Sequence, residues 1–212
     1  MYNSLFKIFR KLGLAPFLLV FHPKSALKTT GWLGSFRTSS VIDNSGKAIP
    51  WWTFSFIDFI DSKLEKPLHI LEFGCGNSTI WLSNKGMHVT AFEDYPEWAK
   101  SIRPKLKSNS KIIEVDSIPK FDDYEHLITG NFDVLIIDNL GNRMETAKKH
   151  LKYLNEQGVV IWDNTDGSDW LDIKNYMSEN GFKAISFTGM IPQELNMSKT
   201  TLFYKSNNCL NI

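Results

Sequence analysis

From Leu68 onward the chain alternates between short apolar runs and amphipathic stretches. The runs are LHILEF (68–73), HVTAFE (88–93), KIIEVD (111–116), FDVLIID (132–138) and VVIWD (159–163). Between them lie STIWLSNK, PEWAKSIRPKL, FDDYEHLIT, METAKKHLKYL and SDWLDIKNYMSEN, which read as helices, the third a short one. Strands that alternate with helices predict a parallel sheet covered on both faces. The unbroken apolar cores VLII and VVIW predict central strands. The ending differs. FKAISF and TTLFYK are separated only by TGMIPQELNMSK, which has no helical period. A hairpin with a long loop there adds the last strand antiparallel. The expected fold class is α/β: a Rossmann-like, doubly wound, mostly parallel seven-stranded sheet with an antiparallel last strand. WWTFSFIDFIDSKL (51–64) predicts a helix leading into it.

The 212 residues are 42% hydrophobic, enough for one core and too few for two full domains. The net charge is only +1, but it is unevenly spread. Lys7, Arg10, Lys11, Lys24, Lys28 and Arg37 all precede the first acid, Asp43, so the remainder carries a net −5. The chain therefore divides into a basic, aromatic arm with helical pieces (1–45) and a mildly acidic body (46–212). The body has no broad basic face, which argues against a nucleic-acid partner. The apolar run Leu12–Phe21 is too short to span a bilayer. The arm is expected to pack on the body or on a partner subunit of a homo-oligomer, or to make peripheral membrane contact through residues 1–22. A cleavable leader would need a small-residue site, and Ser25-Ala26 is a weak one. Two cysteines, Cys75 and Cys209, form no disulfide framework. They point to a reducing, cytoplasmic location, with the arm able to place the chain at the inner face of a membrane.

In an open α/β sheet, ligands sit beyond the carboxyl ends of the strands. Glu72, Glu93, Asp116, Asp138 and Asp163 close the five runs, and all are acidic. The first is followed by Gly74-Cys75-Gly76-Asn77-Ser78-Thr79, a glycine turn opening a helix. A pyrophosphate-binding turn carries a third glycine where this chain has Thr79. S-adenosylmethionine has no phosphate, so two glycines suffice for backbone approach. An acid before them can accept from its ammonium, and the helix N-terminus can face its carboxylate. Glu93 is placed for ribose hydroxyls, and Asp116-Ser117 for adenine. Ser78 also fits as a helix N-cap.

LEFGCGNST, AFEDYPEW, EVDS and GVVIWDNTD resemble, in order, the motifs of class I S-adenosylmethionine-dependent methyltransferases, small bacterial O-methyltransferase-like members among them. The resemblance covers residues 65–205. GWLGSF…DNSGKAIPWWTF is similar to the lead-in of small bacterial members that act on sugars or secondary metabolites. The resemblance implies S-adenosylmethionine as methyl donor. The expected donor-binding set is Glu72, Gly74, Cys75, Gly76, Asn77, Ser78, Glu93, Asp94, Asp116, Ser117 and Asp138.

Two arrangements for the chemistry follow. Adjacent strands bring Asp138 beside Asp163 and Asn164, a hard-oxygen set suited to Mg²⁺ or another divalent cation that would orient a substrate hydroxyl. The set resembles the metal ligands of catechol-type and caffeoyl-type O-methyltransferases. Those enzymes place a lysine after the fourth-strand aspartate, whereas this chain reads DNLGNR. Arg143 cannot act as a base; it can bind an acidic substrate group or pair with Asp138. Without a metal, Asp138 or Asp163 accepts the proton or positions the acceptor. His69 and His88 start strands, away from the ligand end; His126 and His150 fall on helices, and all four read as structural or solvated. Trp32, Trp51, Trp52, Trp162 and Trp170 are candidate pocket walls, Trp162 and Trp170 foremost. Met190, Ile191 and Pro192 are a candidate lid. The expected function is O-methylation of a small molecule or glycan. The alternatives are a non-catalytic S-adenosylmethionine-binding protein and an NAD-dependent sugar-modifying enzyme. The latter is disfavoured by the missing third glycine and by the absence of a Tyr-x-x-x-Lys pair.

Overall fold

A computed structural model describes residues 2–17, 20, 22–118 and 120–212. Leu18, Leu19 and Phe21 of the arm's apolar run lie outside the described residues. The strands are β1 (His69–Phe73), β2 (His88–Glu93), β3 (Lys111–Glu114), β4 (Phe132–Ile137), β5 (Leu154–Trp162), β6 (Lys183–Met190) and β7 (Met197–Tyr204). They form one seven-stranded sheet in the order β3-β2-β1-β4-β5-β7-β6. Pairing is parallel from β3 to β5, and β7 runs antiparallel between β5 and β6. The doubly wound sheet with an antiparallel last strand is the expected one.

The helices are α1 (Tyr2–Lys11), α2 (Ala26–Thr29), α3 (Trp32–Thr38), α4 (Phe54–Asp61), α5 (Asn77–Asn84), α6 (Pro96–Ile102), α7 (Arg143–His150) and α8 (Trp170–Glu179). Strand alternation separates two apolar layers. Ile70, Val89, Ala91, Val134, Ile136, Ile161 and Leu202 face α4, α5 and α6. Leu71, Phe73, Phe92, Leu135, Ile137, Val160, Trp162 and Phe203 face α7, α8 and the segment after β3. Successive strand residues point to opposite faces, so the continuous apolar runs fill both layers.

Three elements depart from expectation. FDDYEHLIT makes two single 3-10 turns, Phe121–Asp123 and Glu125–Leu127, rather than a helix. Phe121 and Tyr124 are buried in the second apolar layer, and that packing sets the local backbone. The last hairpin is longer than expected: β6 and β7 pair through to Met190–Met197, which cuts the loop from a dozen residues to 191–196. β3 stops at Glu114, so Asp116 lies in the following loop, exposed.

Candidate active site

The carboxyl ends of the strands line up in one row. Phe73 is in register with Phe92 and Ile137, and Ile137 with Trp162. One residue further along come Glu93, Gly74, Asp138 and Asp163, with Thr200 opposite Asp163 on the antiparallel strand. All five positions project to the α4–α6 face. Glu72, two residues before Gly74, shares that face.

The glycine turn is built around its two acids. Glu72 has 0% exposure. Its two carboxylate oxygens accept from Ser78 Oγ at 2.5 Å and Thr79 Oγ1 at 2.6 Å. Thr79 Oγ1 in turn accepts from Gly76 N at 2.9 Å. Burial pushes the Glu72 carboxyl up to about 8, against the pull of the two hydroxyls. Glu72, expected to accept from a ligand's ammonium directly or through water, meets Ser78 and Thr79 with its two oxygens and so sets the shape of the turn. Thr79, the residue that replaces a third glycine, is part of that device. Glu93 accepts from Cys75 N and Tyr95 N, both at 2.9 Å. Asp94 accepts from Ile118 N at 3.0 Å, fastening the loop that carries Asp116 and Ser117. Asn77 Nδ2 donates to Val41 O at 2.6 Å, turning that side chain toward the arm.

The two glycines have different reasons to be glycine. Gly74 has φ +89°, and a Cβ there would lie 2.6 Å from Asp138 O. The contact between β1 and β4 requires it. Gly76 has φ −178°, a conformation any residue adopts, and an added Cβ would meet only Trp98, at 3.9 Å. The protein's own packing therefore leaves room at Gly76. Trp98 Nε1 donates to Cys75 O at 2.6 Å, so its indole forms a wall over the turn. Sequence reasoning missed Trp98; the signal available was an aromatic in the first turn of the helix after β2. Cys75 is buried, and burial pushes its thiol up, away from any nucleophilic role.

The acids after β4 and β5 meet Arg143. Its Nη2 lies 3.2 Å from Asp138 Oδ1, and its Nη1 donates to Asp163 O at 2.5 Å and to Asn164 Oδ1 at 2.9 Å. Its Nε donates to Asn139 O at 2.7 Å. The Asp163 carboxylate accepts instead from Thr200 Oγ1 at 2.5 Å, and Thr200 Oγ1 accepts from Thr53 N at 3.2 Å. Burial pushes Asp138 up to about 6, opposed by the Arg143 charge. Burial also pushes Asp163 up to about 8, reinforced by Asp138. The trio expected to hold a divalent cation is thus brought together, but Asp138 Oδ1 and Asn164 Oδ1 face the Arg143 guanidinium and Asp163 Oδ1 accepts from Thr200. Asp138, Asp163 and Asn164 as placed do not fit an Mg²⁺ ion, and no cluster of three or more His, Cys, Asp or Glu suited to a metal occurs among the described residues.

Around this pair are three buried polar atoms without a partner: Trp52 Nε1, Thr53 Oγ1 and Asn139 Oδ1. Trp52 lies close enough to help hold Asp138 in its charged form, though outside hydrogen-bond geometry. Of the tryptophans singled out in the sequence, Trp52 is therefore the one at the acids. Trp162 is 1% exposed in the other apolar layer, because alternation turns it away from Asp163. Trp170 packs on Phe203 in that layer, and Trp51 is exposed. Trp32 Nε1 donates to Glu194 O at 2.9 Å, and Gln193 Nε2 donates to Ser35 O at 3.2 Å. The arm is thereby clamped to the loop 191–196, which lies at this end of the sheet. In that loop region Ile191 and Pro192 are buried and Met190 is exposed.

The histidines lie elsewhere. His69 and His88 stack at 4.9 Å at the opposite end of the sheet. They line a cavity of about 400 Å³ with Asn109, Lys111 and Asn131, remote from the acids. His126 is exposed. His150 is buried between Phe73 and Phe121, with Nδ1 2.6 Å from Thr146 O, and burial pushes it down to about 4.

No family model matches the chain, and no curated protein sequence does. Solved structures share its fold. One is a precorrin-6y C5,15-methyltransferase from Geobacter metallireducens GS-15, with TM-score 0.57 and 18% identity over 77% of this chain and 97% of that one. A second is an O-methyltransferase from Bacillus cereus in complex with S-adenosylhomocysteine, with TM-score 0.56 and 17% identity over 69% and 78%. A third is a magnesium protoporphyrin IX methyltransferase from Synechocystis PCC 6803 with bound S-adenosylhomocysteine, with TM-score 0.53 and 13% identity over 72% and 81%. The architecture is the Rossmann-like fold of class I methyltransferases.

Proposed function

We propose that this chain transfers the methyl group of S-adenosylmethionine to a hydroxyl of a small molecule or glycan. The observation that carries the reading is the meeting of Asp138 and Asp163 at the ends of β4 and β5, beside buried polar atoms that have no partner. Burial raises both carboxyls, and the Arg143 guanidinium beside Asp138 opposes the rise there, so Asp138 is the member better able to hold charge.

S-adenosylmethionine fits the glycine turn. At Gly76 an added Cβ would meet only Trp98, whose indole covers the turn, and Glu93 lies in the same row. When bound, it supplies an electrophilic methyl group and leaves as S-adenosylhomocysteine. Gly74, Gly76 and the start of α5 would hold its amino-acid end; Glu93 would take its ribose, and Asp116 and Ser117 its adenine. Asp138 then takes the proton of the acceptor hydroxyl as that oxygen bonds to the methyl carbon. Trp52 Nε1, Thr53 Oγ1 and Asn139 Oδ1 supply hydrogen bonds that orient the acceptor. Arg143 steadies Asp138 and joins the loops after β4 and β5. No metal enters this scheme, and EDTA is expected to leave the rate unchanged.

Calorimetry with S-adenosylhomocysteine and with NADH separates the readings. Binding of the first alone supports this one; binding of NADH alone overturns it. With labelled donor and a panel of sugars and phenols, methyl incorporation is expected to rise with pH through about 6, as Asp138 loses its proton. Asp138→Asn should lower the rate about 100-fold or more and abolish that rise. Donor binding with no transfer to any acceptor would favour the second reading, a non-catalytic S-adenosylmethionine-binding protein.

A further inference from the structure

The arm begins with an amphipathic helix that the body does not cover. At 100° per residue, Phe6, Phe9, Leu12 and Ile8 of α1 and its extension fall within an arc of about 160°, and Lys7, Arg10 and Lys11 on the opposite side. Phe6 is 47% exposed, Ile8 55% and Leu12 65%, so the apolar side meets solvent. Gly13, at φ +70°, ends the helix, with Leu14 N bonding back to Phe9 O at 2.8 Å. Leu14 and Phe17 of the next turn are exposed as well. No acidic residue precedes Asp43.

We infer that residues 6–17 dock on an anionic lipid surface. Phe6, Ile8, Leu12, Leu14 and Phe17 enter the boundary between headgroups and acyl chains, and Lys7, Arg10 and Lys11 meet the lipid phosphates. Charge complementarity favours this occupant over a second copy of the chain. Two such helices would bring six cations together. A ten-residue helix is also only about 15 Å long, far short of the roughly 800 Å² per partner that a stable dimer buries. No helix among the described residues is long and apolar enough to cross a membrane. The surface attachment of a short helix rich in Phe, Leu, Lys and Arg needs none. The inference is independent of the methyl-transfer reading.

The test is co-sedimentation of the full chain with vesicles of pure phosphatidylcholine and of phosphatidylcholine with about one-third phosphatidylglycerol. Binding is expected to the anionic vesicles, weakening as salt rises. The double variant F6D/L12D should lose binding about tenfold or more, and so should K7E/R10E/K11E. All five side chains are exposed, so melting temperature and circular dichroism should not change. Absence of binding to anionic vesicles by the folded wild type would overturn the inference. So would binding that survives F6D/L12D. A concentration-dependent dimer that disappears in F6D/L12D, without vesicle binding, would instead assign the face to a second copy.

Discussion

At the residue scale, Gly74 and Gly76 show that the same residue type two positions apart answers to different physics. Gly74 is demanded by its left-handed backbone and by Asp138 O at 2.6 Å from a hypothetical Cβ. Gly74→Ala is expected to cost about 2 kcal/mol or more of stability, read from urea midpoints. Gly76 has an extended φ of −178°, and a Cβ there would meet only Trp98, at 3.9 Å. Gly76→Ala should leave stability within about 0.5 kcal/mol, since its one added carbon makes only an ordinary contact with Trp98. The same variant should weaken S-adenosylhomocysteine binding at least tenfold by calorimetry. Unchanged binding would mean that the space at Gly76 is not the donor site. The pattern G-x-G was legible in the sequence. That Gly74 alone is demanded by the fold was not, because that depends on the close approach of β4.

At the element scale, the segments after β4 and β5 behave as one unit because Arg143 bridges them. Its side chain keeps 19% of its surface exposed and that of Asp138 keeps 23%, so the pair is only partly withdrawn from water. Arg143→Ala is therefore expected to cost about 2 kcal/mol, below the cost of breaking a fully buried pair. It should also move the pH dependence of methyl transfer upward, because Asp138 loses the nearby charge that favours its ionised form. The combination of melting temperature and pH profile distinguishes this from a purely structural effect. The sequence showed Arg143 five residues after Asp138 and offered pairing with it as one of two roles. It could not show that the guanidinium would also reach Asp163 O and Asn164, which requires two parallel strands in register. The same limit explains the tryptophans: Trp162 borders Asp163 in sequence, but alternation places it in the opposite layer, while Trp52 arrives from an element 110 residues away.

At the scale of the whole molecule, buried ionisable groups make stability depend on pH. Glu72 and Asp163 both have folded-state affinities raised to about 8 by burial. Their stabilising contribution is fully present below about pH 4, where both forms are protonated, and is lost as pH rises through 8. His150 is the opposite case. Burial lowers it from 6.5 to about 4, so its contribution is present above 6.5 and lost as pH falls through 4. Above pH 6.5 only the acids of this set act, and the melting temperature is expected to fall between pH 6.5 and 8. Glu72→Gln should flatten that fall, since a neutral amide has no proton to lose. A slope unchanged by the substitution would place the titration elsewhere.

By itself the sequence determined the order of the strands, the antiparallel ending, the acids at the carboxyl ends of the strands and the polarity of the arm. Each of these follows from local periodicity and from acids recurring at strand ends. Only the tertiary structure decided that Glu72 braces the turn through Ser78 and Thr79, and that Asp138 pairs with Arg143 while the Asp163 carboxylate accepts from Thr200. It also decided that the Arg143 guanidinium meets Asp138, Asn164 and the main-chain carbonyl of Asp163, and that the arm is clamped to the loop 191–196. These outcomes rest on burial and on contacts between residues far apart in the chain. Burial sets the electrostatic cost of a charge, and no spacing within one segment encodes it.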